Sequence, residues 1–260
     1  MAELMTADLT ARRRRRLVTL LREQGLTRVT ELASRLGVSA STVRRDLADL
    51  QQQGEIVRVH GGAGTVLDEF VVERAAPDDR AAAKRAIGRG AAELVPHGAT
   101  IMLLSGTTVS AMVPFLAGKR DLSVVTNGLD IAHALAHQHR DIAVTVLGGQ
   151  VHRDQMTMIG LMAEQNMRSL RVELMFGGAW GVDARSGATG PKIVQAAERR
   201  HLLDHAQELV VLADGTKVGR TGPALLANVD QIGRVLTDAE APSDAVAELT
   251  AAGVQVGICE

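Results

Sequence analysis

An N-terminal winged helix-turn-helix joined to an α/β domain with a mainly parallel sheet is the fold this sequence predicts, and three observations predict it. Residues 12–60 hold three short amphipathic helical patterns and then an alternating basic strand, and a double glycine follows. From residue 80 onward, short apolar runs alternate with helical stretches, the pattern of a sheet covered on both faces. Charge divides at the same place. Residues 1–60 hold 11 Arg, no Lys and 7 acidic residues, a net of +4, whereas 61–260 hold 18 basic and 23 acidic residues, a net of −5. A basic head on an acidic body suggests one module that meets a polyanion and one ordinary globular module.

The first helix is expected over about residues 11–24, with Leu17, Leu20 and Leu21 as its apolar stripe and Gly25 as its stop. Arg12 to Arg16 precede the stripe. A solvated helix end would accommodate them, but five cations oppose the macrodipole at a helix N-terminus, so an external anion such as backbone phosphate is the expected partner. The second helix is expected over Val29–Leu36, with Val29, Leu32, Ala33 and Leu36 inward. Gly37-Val38-Ser39 then reads as a tight turn: a glycine helix end, an apolar plug and a serine N-cap. The third helix is expected from Ala40 to about Gln53, burying Val43, Leu47 and Leu50. That leaves Ser41, Thr42, Arg44 and Arg45 outward in the first turns, the part of a recognition helix that meets base edges. Asp46 is expected to pair within the head. Ile56 to His60 alternates and Gly61-Gly62 turns, which predicts a β-wing carrying Arg58 and His60 toward the duplex. The DNA-contacting set is therefore Arg12, Arg13, Arg14, Ser39, Ser41, Thr42, Arg44, Arg45, Arg58 and His60.

Residues 1–62 are assigned to the head, 63–79 to a linker containing Pro77-Asp78-Asp79, and 80–260 to the body. A helix is expected over about residues 80–94. Strands are expected at Thr100–Leu104, Leu122–Thr126, Ile142–Leu147, Val172–Phe176 and Leu209–Ala213, with weaker ones near Val235 and Val254. Helices are expected between them at Val109–Leu116, Leu129–Ala136 and Ile193–Ala206. Ligands of such sheets bind beyond the strand C-termini. Polar and glycine residues collect there: Ser105-Gly106-Thr107-Thr108, Thr126-Asn127-Gly128, Gly148-Gly149, Gly177-Gly178 and Asp214-Gly215-Thr216-Lys217. Each alone reads as a tight turn; together on one edge they predict a binding site.

Cys259 is the only cysteine, which excludes an internal disulfide and a multi-cysteine metal site. No cofactor is expected. No apolar run approaches the roughly 18–20 residues of a membrane span, and residues 1–10 lack a signal-peptide core. A cytoplasmic protein with no membrane partner is the expectation.

The segment SASTVRRDLADLQQQGEIVRVHGGA, residues 39–63, resembles the signature of the DeoR family of bacterial transcription regulators. That signature is a turn and Ser, Thr-(Ile/Val)-Arg-Arg-Asp-Leu, a Gly, an apolar-Arg stretch and His-Gly-Gly. The resemblance extends over the body and so covers nearly the whole chain. It implies an effector domain similar to ribose-5-phosphate isomerase that senses phosphorylated sugars or related metabolites. It assigns Ser105, Gly106, Thr107 and Thr108 to the phosphate loop, Thr126 and Asn127 to a second loop, and Gly148 and Gly149 to a third. Asp183, within Gly181-Val182-Asp183 and with Gly187 and Thr189, falls in a fourth, and Asp214 and Lys217 with Gly219 in a fifth. Three positions depart from the family's pattern: Leu104 where Asp is common before the phosphate loop, Val109 for a third Thr, and Ala197 for a Glu, with Glu198 one place away.

The function this implies is a sequence-specific repressor of a carbohydrate catabolic operon. It would bind a double-stranded DNA operator and answer to a phosphorylated effector. A homo-oligomer is expected, since dimers match palindromic sites. The alternative is a sugar-phosphate isomerase-like enzyme with an accessory head. That would need a positioned acid/base pair drawn from Glu173, Asp183, Asp214 and Lys217, and Leu104 and Ala197 leave that set incomplete. A third possibility, binding of any duplex without sequence preference, fits poorly with a large body bearing a candidate pocket.

Overall fold

The computed structural model describes residues 10, 12–21, 27–52, 56–59, 62–64, 80–152, 155–191 and 201–260. The chain divides into two compact units between Pro77 and Asp78. Gly25, Gly54, His60, Ala197 and Glu198 lie outside the described residues.

In the first unit, helix α1 covers residues 12–21 and buries Leu17, Val18 and Leu21. Strand β1 (Thr27–Arg28) leads into α2 (Val29–Leu36), and α3 spans Ala40–Gln52. The turn between these helices is built as its residues demand. Gly37 takes φ 65°, its N–H donates to the Ser34 carbonyl at 3.3 Å, and the Val38 N–H reaches back to Ala33 at 3.1 Å. These are the two bonds of a Schellman ending, and Val38 packs on the head's core. Strands β2 (Val57–Val59) and β3 (Gly62–Gly64) pair antiparallel, and β3 also pairs with β1, in the order β1-β3-β2. That three-stranded sheet is the wing. It also corrects the expected boundary at residue 62: Ala63 is fully buried in the head's core and Gly64 pairs with Val57, so both belong to the head.

The second unit opens with α4 (Ala81–Glu93) and is built on seven strands: β4 (Thr100–Leu103), β5 (Ser123–Thr126), β6 (Ala143–Val146), β9 (Val172–Gly178), β12 (Ala206–Leu212), β14 (Ile232–Asp238) and β15 (Gln255–Cys259). Every pairing among them is parallel, in the order β15-β14-β12-β9-β4-β5-β6. Alternate residues feed two cores. Met102, Val125, Met175, Val211 and Val235 lie on one face, and Ile101, Leu103, Val124, Phe176, Val210 and Leu236 on the other. Their continuous apolar character follows from burial on both sides. From β4 the chain runs one way to β5 and β6, then returns to the far side of β4 for β9, β12, β14 and β15. The neighbours β4 and β9 therefore form the switch point, where the crevice of an open α/β sheet lies.

Smaller elements crown the carboxyl edge. The hairpin β7 (Gln150–His152) and β8 (Thr157–Ile159) precedes α7 (Leu161–Arg168). Strands β10 (Gly181–Asp183), β11 (Gly187–Gly190) and β13 (Ala224–Ala227) form a separate antiparallel sheet. Helix α6 (Leu129–Gln138) follows β5, and α8 (Ser243–Ala251) precedes β15.

The expected helix over Val109–Leu116 is broken. One α turn, α5 (Thr107–Ser110), is followed by a 3-10 turn over Val113–Leu116. Pro114 has no N–H to continue the α ladder. The helix expected to reach Ala206 also ends early, because residues 201–203 are helical and β12 begins at Ala206.

Candidate functional site

On the head, α3 presents the expected surface. Ser41, Arg44 and Arg45 are exposed and Thr42 half-buried, while Val43, Leu47 and Leu50 face the core. Ser39 caps the helix: its hydroxyl accepts from the Thr42 N–H at 3.1 Å and lies 2.8 Å from the hydroxyls of both Ser41 and Thr42. The result is a knot of hydroxyls beside two solvated guanidiniums. Arg58 lies in β2, and Arg12 is exposed on α1.

Arg13 and Arg14 depart from the expectation of an external anion. Arg13 Nε donates to Asp46 at 2.5 Å and Arg14 Nε to the same carboxylate at 3.1 Å, while a second Arg14 nitrogen holds Asp49. Asp46 is 2% exposed. Burial pushes its carboxyl up, but the hydrogen bonds and charges of the two arginines outweigh that and hold it below the usual carboxylate range. The arginine run thus ties α1 to α3 through residues that the sequence reading had assigned to phosphate, and Asp46 pairs inside the head as expected.

In the body, parallel strands bring the predicted loops to one edge. The Leu104 N–H bonds the Phe176 carbonyl at 2.9 Å, continuing the β4–β9 contact by one residue. The Ser105 N–H donates to Asn127 Oδ1 at 3.0 Å, so the loops after β4 and β5 are joined. The Thr126 hydroxyl donates to the Leu103 carbonyl at 2.7 Å and accepts from the Gly128 N–H at 3.0 Å. Thr108, Thr126 and Asn127 are buried, while Thr107 is exposed. Gly106, at φ 152°, has open space where a side chain would be. Because α5 is a single turn, its dipole contributes little here, and the hydroxyls of Ser105, Thr107 and Thr108 give the loop its polar character.

Across β9, the end of β12 supplies Asp214 and Lys217, paired at 2.8 Å. Burial pushes the Asp214 carboxyl up, yet hydrogen bonds from Lys217 and Thr216 and the charges of Lys217 and Arg80 bring it below the ordinary value. Arg80, at the start of α4, also bonds Glu240 at 2.5 Å and Asp238 at 3.3 Å. The Gly219 N–H donates to the Val182 carbonyl at 2.8 Å, which sets β10 beside the Lys217 segment.

Other predicted positions hold the architecture. Asp183 accepts from the N–H groups of Arg185 and Ser186 at 2.7 and 2.8 Å and from the Thr221 hydroxyl, so its oxygens close the β10–β11 turn. Gly149, at φ 112°, sits where a Cβ would lie 2.4 Å from the Ile159 carbonyl, and Gly148, at φ 73°, precedes it. Both allow the β7–β8 hairpin to close against the end of β6. Of the departures from the family's pattern, Leu104 is 3% exposed and touches the position of Gly177, and Val109 is fully buried in the core. Glu173, named as an acid/base candidate for the enzyme alternative, accepts from the Thr100 N–H at 3.0 Å, at the opposite end of β4 from the loops.

A basic residue the sequence reading did not single out completes the phosphate-loop side: Lys84 Nζ donates to the Thr107 hydroxyl at 2.9 Å. The available signal was its spacing of four from Arg80, which places both cations on one stripe of α4.

A winged head with solvated arginines on its second turn-flanking helix, followed by an α/β unit whose polar loops gather at the carboxyl edge of its parallel sheet, defines a DNA-binding regulator with a ligand-sensing domain. The chain belongs to the DeoR family: the DeoR-like helix-turn-helix domain matches residues 13–68 and the DeoR C terminal sensor domain residues 79–239. It is 31% identical to the HTH-type transcriptional regulator GolR of Listeria innocua, over 95% of this chain and 98% of that protein. It is 30% identical to the HTH-type transcriptional repressor CsqR of Escherichia coli K12, over 87% of each. The glycerol-3-phosphate regulon repressor of the same organism is 27% identical over 94% of this chain and 96% of that one. Relatives of this kind are regulators of transcription, which sets the enzyme alternative aside. Among solved structures, ribose 5-phosphate isomerase A from Neisseria gonorrhoeae is similar with a TM-score of 0.37 and 19% identity, over 52% of each chain. Among the described residues, no helix is long and apolar enough to cross a membrane.

Proposed function

We propose that this chain represses a carbohydrate catabolic operon and is controlled by a phosphorylated metabolite bound at the carboxyl edge of its parallel sheet. The observation that carries the metabolite half is the gathering of Ser105, Thr107, Asn127 and Lys84 at that edge, with the Asp214–Lys217 pair at the end of β12. A relative named for the glycerol-3-phosphate regulon supports the ligand class. On the head, Arg44 and Arg45 read base edges from the major groove, Ser39, Ser41 and Thr42 meet backbone phosphate beside the helix start, and Arg12, Arg58 and His60 contact the flanking backbone. The working form is a homo-oligomer in the cytoplasm that spans a palindromic operator. Ligand binding weakens the hold on DNA.

The test is a footprint and mobility-shift titration on the DNA upstream of the chain's own gene, with and without a panel of sugar phosphates. Protection that one member of the panel removes is the expected result. Thr107→Glu sets a carboxylate against the incoming phosphate. It should leave protection intact and abolish its removal at any ligand concentration up to about a hundredfold above the wild-type requirement. A wild-type chain that protects no bases under any metabolite condition would falsify the proposal.

A further inference from the structure

We infer that the β7–β8 hairpin carries a second, neutral subsite of the effector pocket, in which His152 reads a hydroxyl of the ligand's carbon chain. This deepens the sugar-phosphate proposal and rests on it. Beneath the hairpin lies a small cavity wide enough for a water-sized group, lined by Asn127, Leu147, His152, Thr157, Glu164 and Leu202 among others. Asn127 belongs equally to the phosphate-loop side, since its side-chain oxygen accepts from the Ser105 N–H at 3.0 Å. The cavity is therefore one residue away from the loop proposed to take the phosphate.

The hairpin is locked onto that same segment. The Met158 N–H donates to the Asn127 carbonyl at 2.7 Å, the Thr157 hydroxyl to the same oxygen at 3.3 Å, and the Leu129 N–H to Met156 at 2.7 Å. His152 pairs directly with Thr157 across the hairpin, so both side chains stand on the face turned to Asn127. Nδ1 of His152 is shielded from solvent and has no hydrogen-bond partner among the described residues. A buried polar nitrogen without a partner is costly, and such atoms mark places where a ligand or an ordered water completes the bond. Whichever tautomer the ring takes, a hydroxyl complements it, because a hydroxyl both donates and accepts.

The lining also selects against charge. Glu164 shares the cavity, while Lys84 stands on the phosphate-loop side at Thr107 and Lys217 is paired with Asp214 across β9. A second phosphate or a carboxylate would meet a like charge here, so the ligand class is a monophosphate with a hydroxylated, uncharged tail.

The experiment is calorimetric titration of the full chain with inorganic phosphate, glycerol 3-phosphate, hexose and hexitol monophosphates, one hexose bisphosphate, and unphosphorylated hexitols. Wild type should bind one of the hexose or hexitol monophosphates most tightly. His152→Leu should weaken that ligand about tenfold and leave inorganic phosphate within about twofold. His152→Gln, which restores a hydrogen-bonding amide, should recover most of the loss. Equal weakening of inorganic phosphate would reduce His152 to a structural role, and unchanged affinity for every ligand would mean that water alone fills the cavity; either result overturns the subsite. The phosphate reading fails separately if unphosphorylated hexitols bind as well as their phosphates, or if Thr107→Glu binds every ligand as wild type does. A panel in which nothing binds the wild-type chain overturns both.

Discussion

Asp46 occupies a position where one atom change tests the whole head. Its carboxylate is 2% exposed and takes hydrogen bonds from Arg13 and Arg14, so α1 and α3 are joined by a charge that water hardly reaches. Asp46→Asn keeps the shape and removes the charge. It should cost about 2 kcal/mol at neutral pH, the order expected when a buried ionic partner is lost while the arginines can still turn to solvent; urea unfolding of the full chain measures it. Because the folded carboxyl titrates below its ordinary value, its contribution is present above the unfolded pKa of about 3.9 and is lost as pH falls through the lower folded one. Wild type and Asp46→Asn should therefore converge in strong acid, and a gap that persists there would show that the charge contributes nothing. Arg14→Ala, by the same geometry, should destabilise the head rather than merely soften its grip on phosphate. Arg44 has no such duty. It is exposed on the outward face of α3, and Arg44→Ala should cut the preference for operator over scrambled duplex by about tenfold or more at fixed salt with no loss of stability. Unchanged preference would mean that another face of α3 meets the bases.

At the scale of elements, the α2–α3 turn rests on Gly37. At φ 65° an alanine is strained, while the two bonds that close the turn need that conformation. Gly37→Ala should lower stability by about 1 kcal/mol, read from the same urea transitions, and a neutral effect would mean the helix ending relaxes to another geometry. This turn was also the most legible part of the sequence, because Gly37, Val38 and Ser39 each carry a local rule, and the end of α2 at Leu36 and the start of α3 at Ala40 follow from them. The inner strands β4, β5, β9 and β12 were legible for a similar reason: residues buried on both faces leave little alternation to misread. Elements held by distant pairing were not. β1 is two residues long and exists because Thr27 meets Ala63, and the β10-β11-β13 sheet joins Ala188 to Ala227. Helix α7 hid its stripe, since Leu161 and Met162 are more than 60% exposed while Ala163 and Met167 are buried. The effector site divides in the same way. Ser105, Asn127 and Lys217 could be read from strand ends, because parallel pairing gathers strand ends on one edge. Lys84 and His152 could not, because their reach depends on how α4 is rotated about its axis and on the hairpin's register. Arg13 and Arg14 misled because a helix-end cation looks unpartnered until the acid 32 or 33 residues away folds onto it.

For the molecule as a whole, the two units have separate cores, one around Leu17, Leu32 and Leu47 and the other on the two faces of the parallel sheet. A substitution on the surface of one unit should thus leave the intrinsic binding of the other untouched. Arg44→Ala should bind the metabolite as wild type does when DNA is absent, and Thr107→Glu should bind free operator as wild type does. Coupling between them is a single free energy, and it must be the same in both directions. If saturating ligand weakens operator affinity by a factor in the usual range of about 5–150, saturating operator must weaken ligand affinity by that same factor. Two titrations check this: operator affinity with and without ligand by fluorescence anisotropy of labelled duplex, and ligand affinity with and without operator by calorimetry. Equal factors would establish that the metabolite acts by preferring a DNA-free arrangement of the intact chain. If ligand affinity for the operator complex is undiminished while DNA affinity falls steeply, the two titrations do not share one equilibrium, and the ligand must act through another species, such as a change in assembly that only one of the two titrations samples.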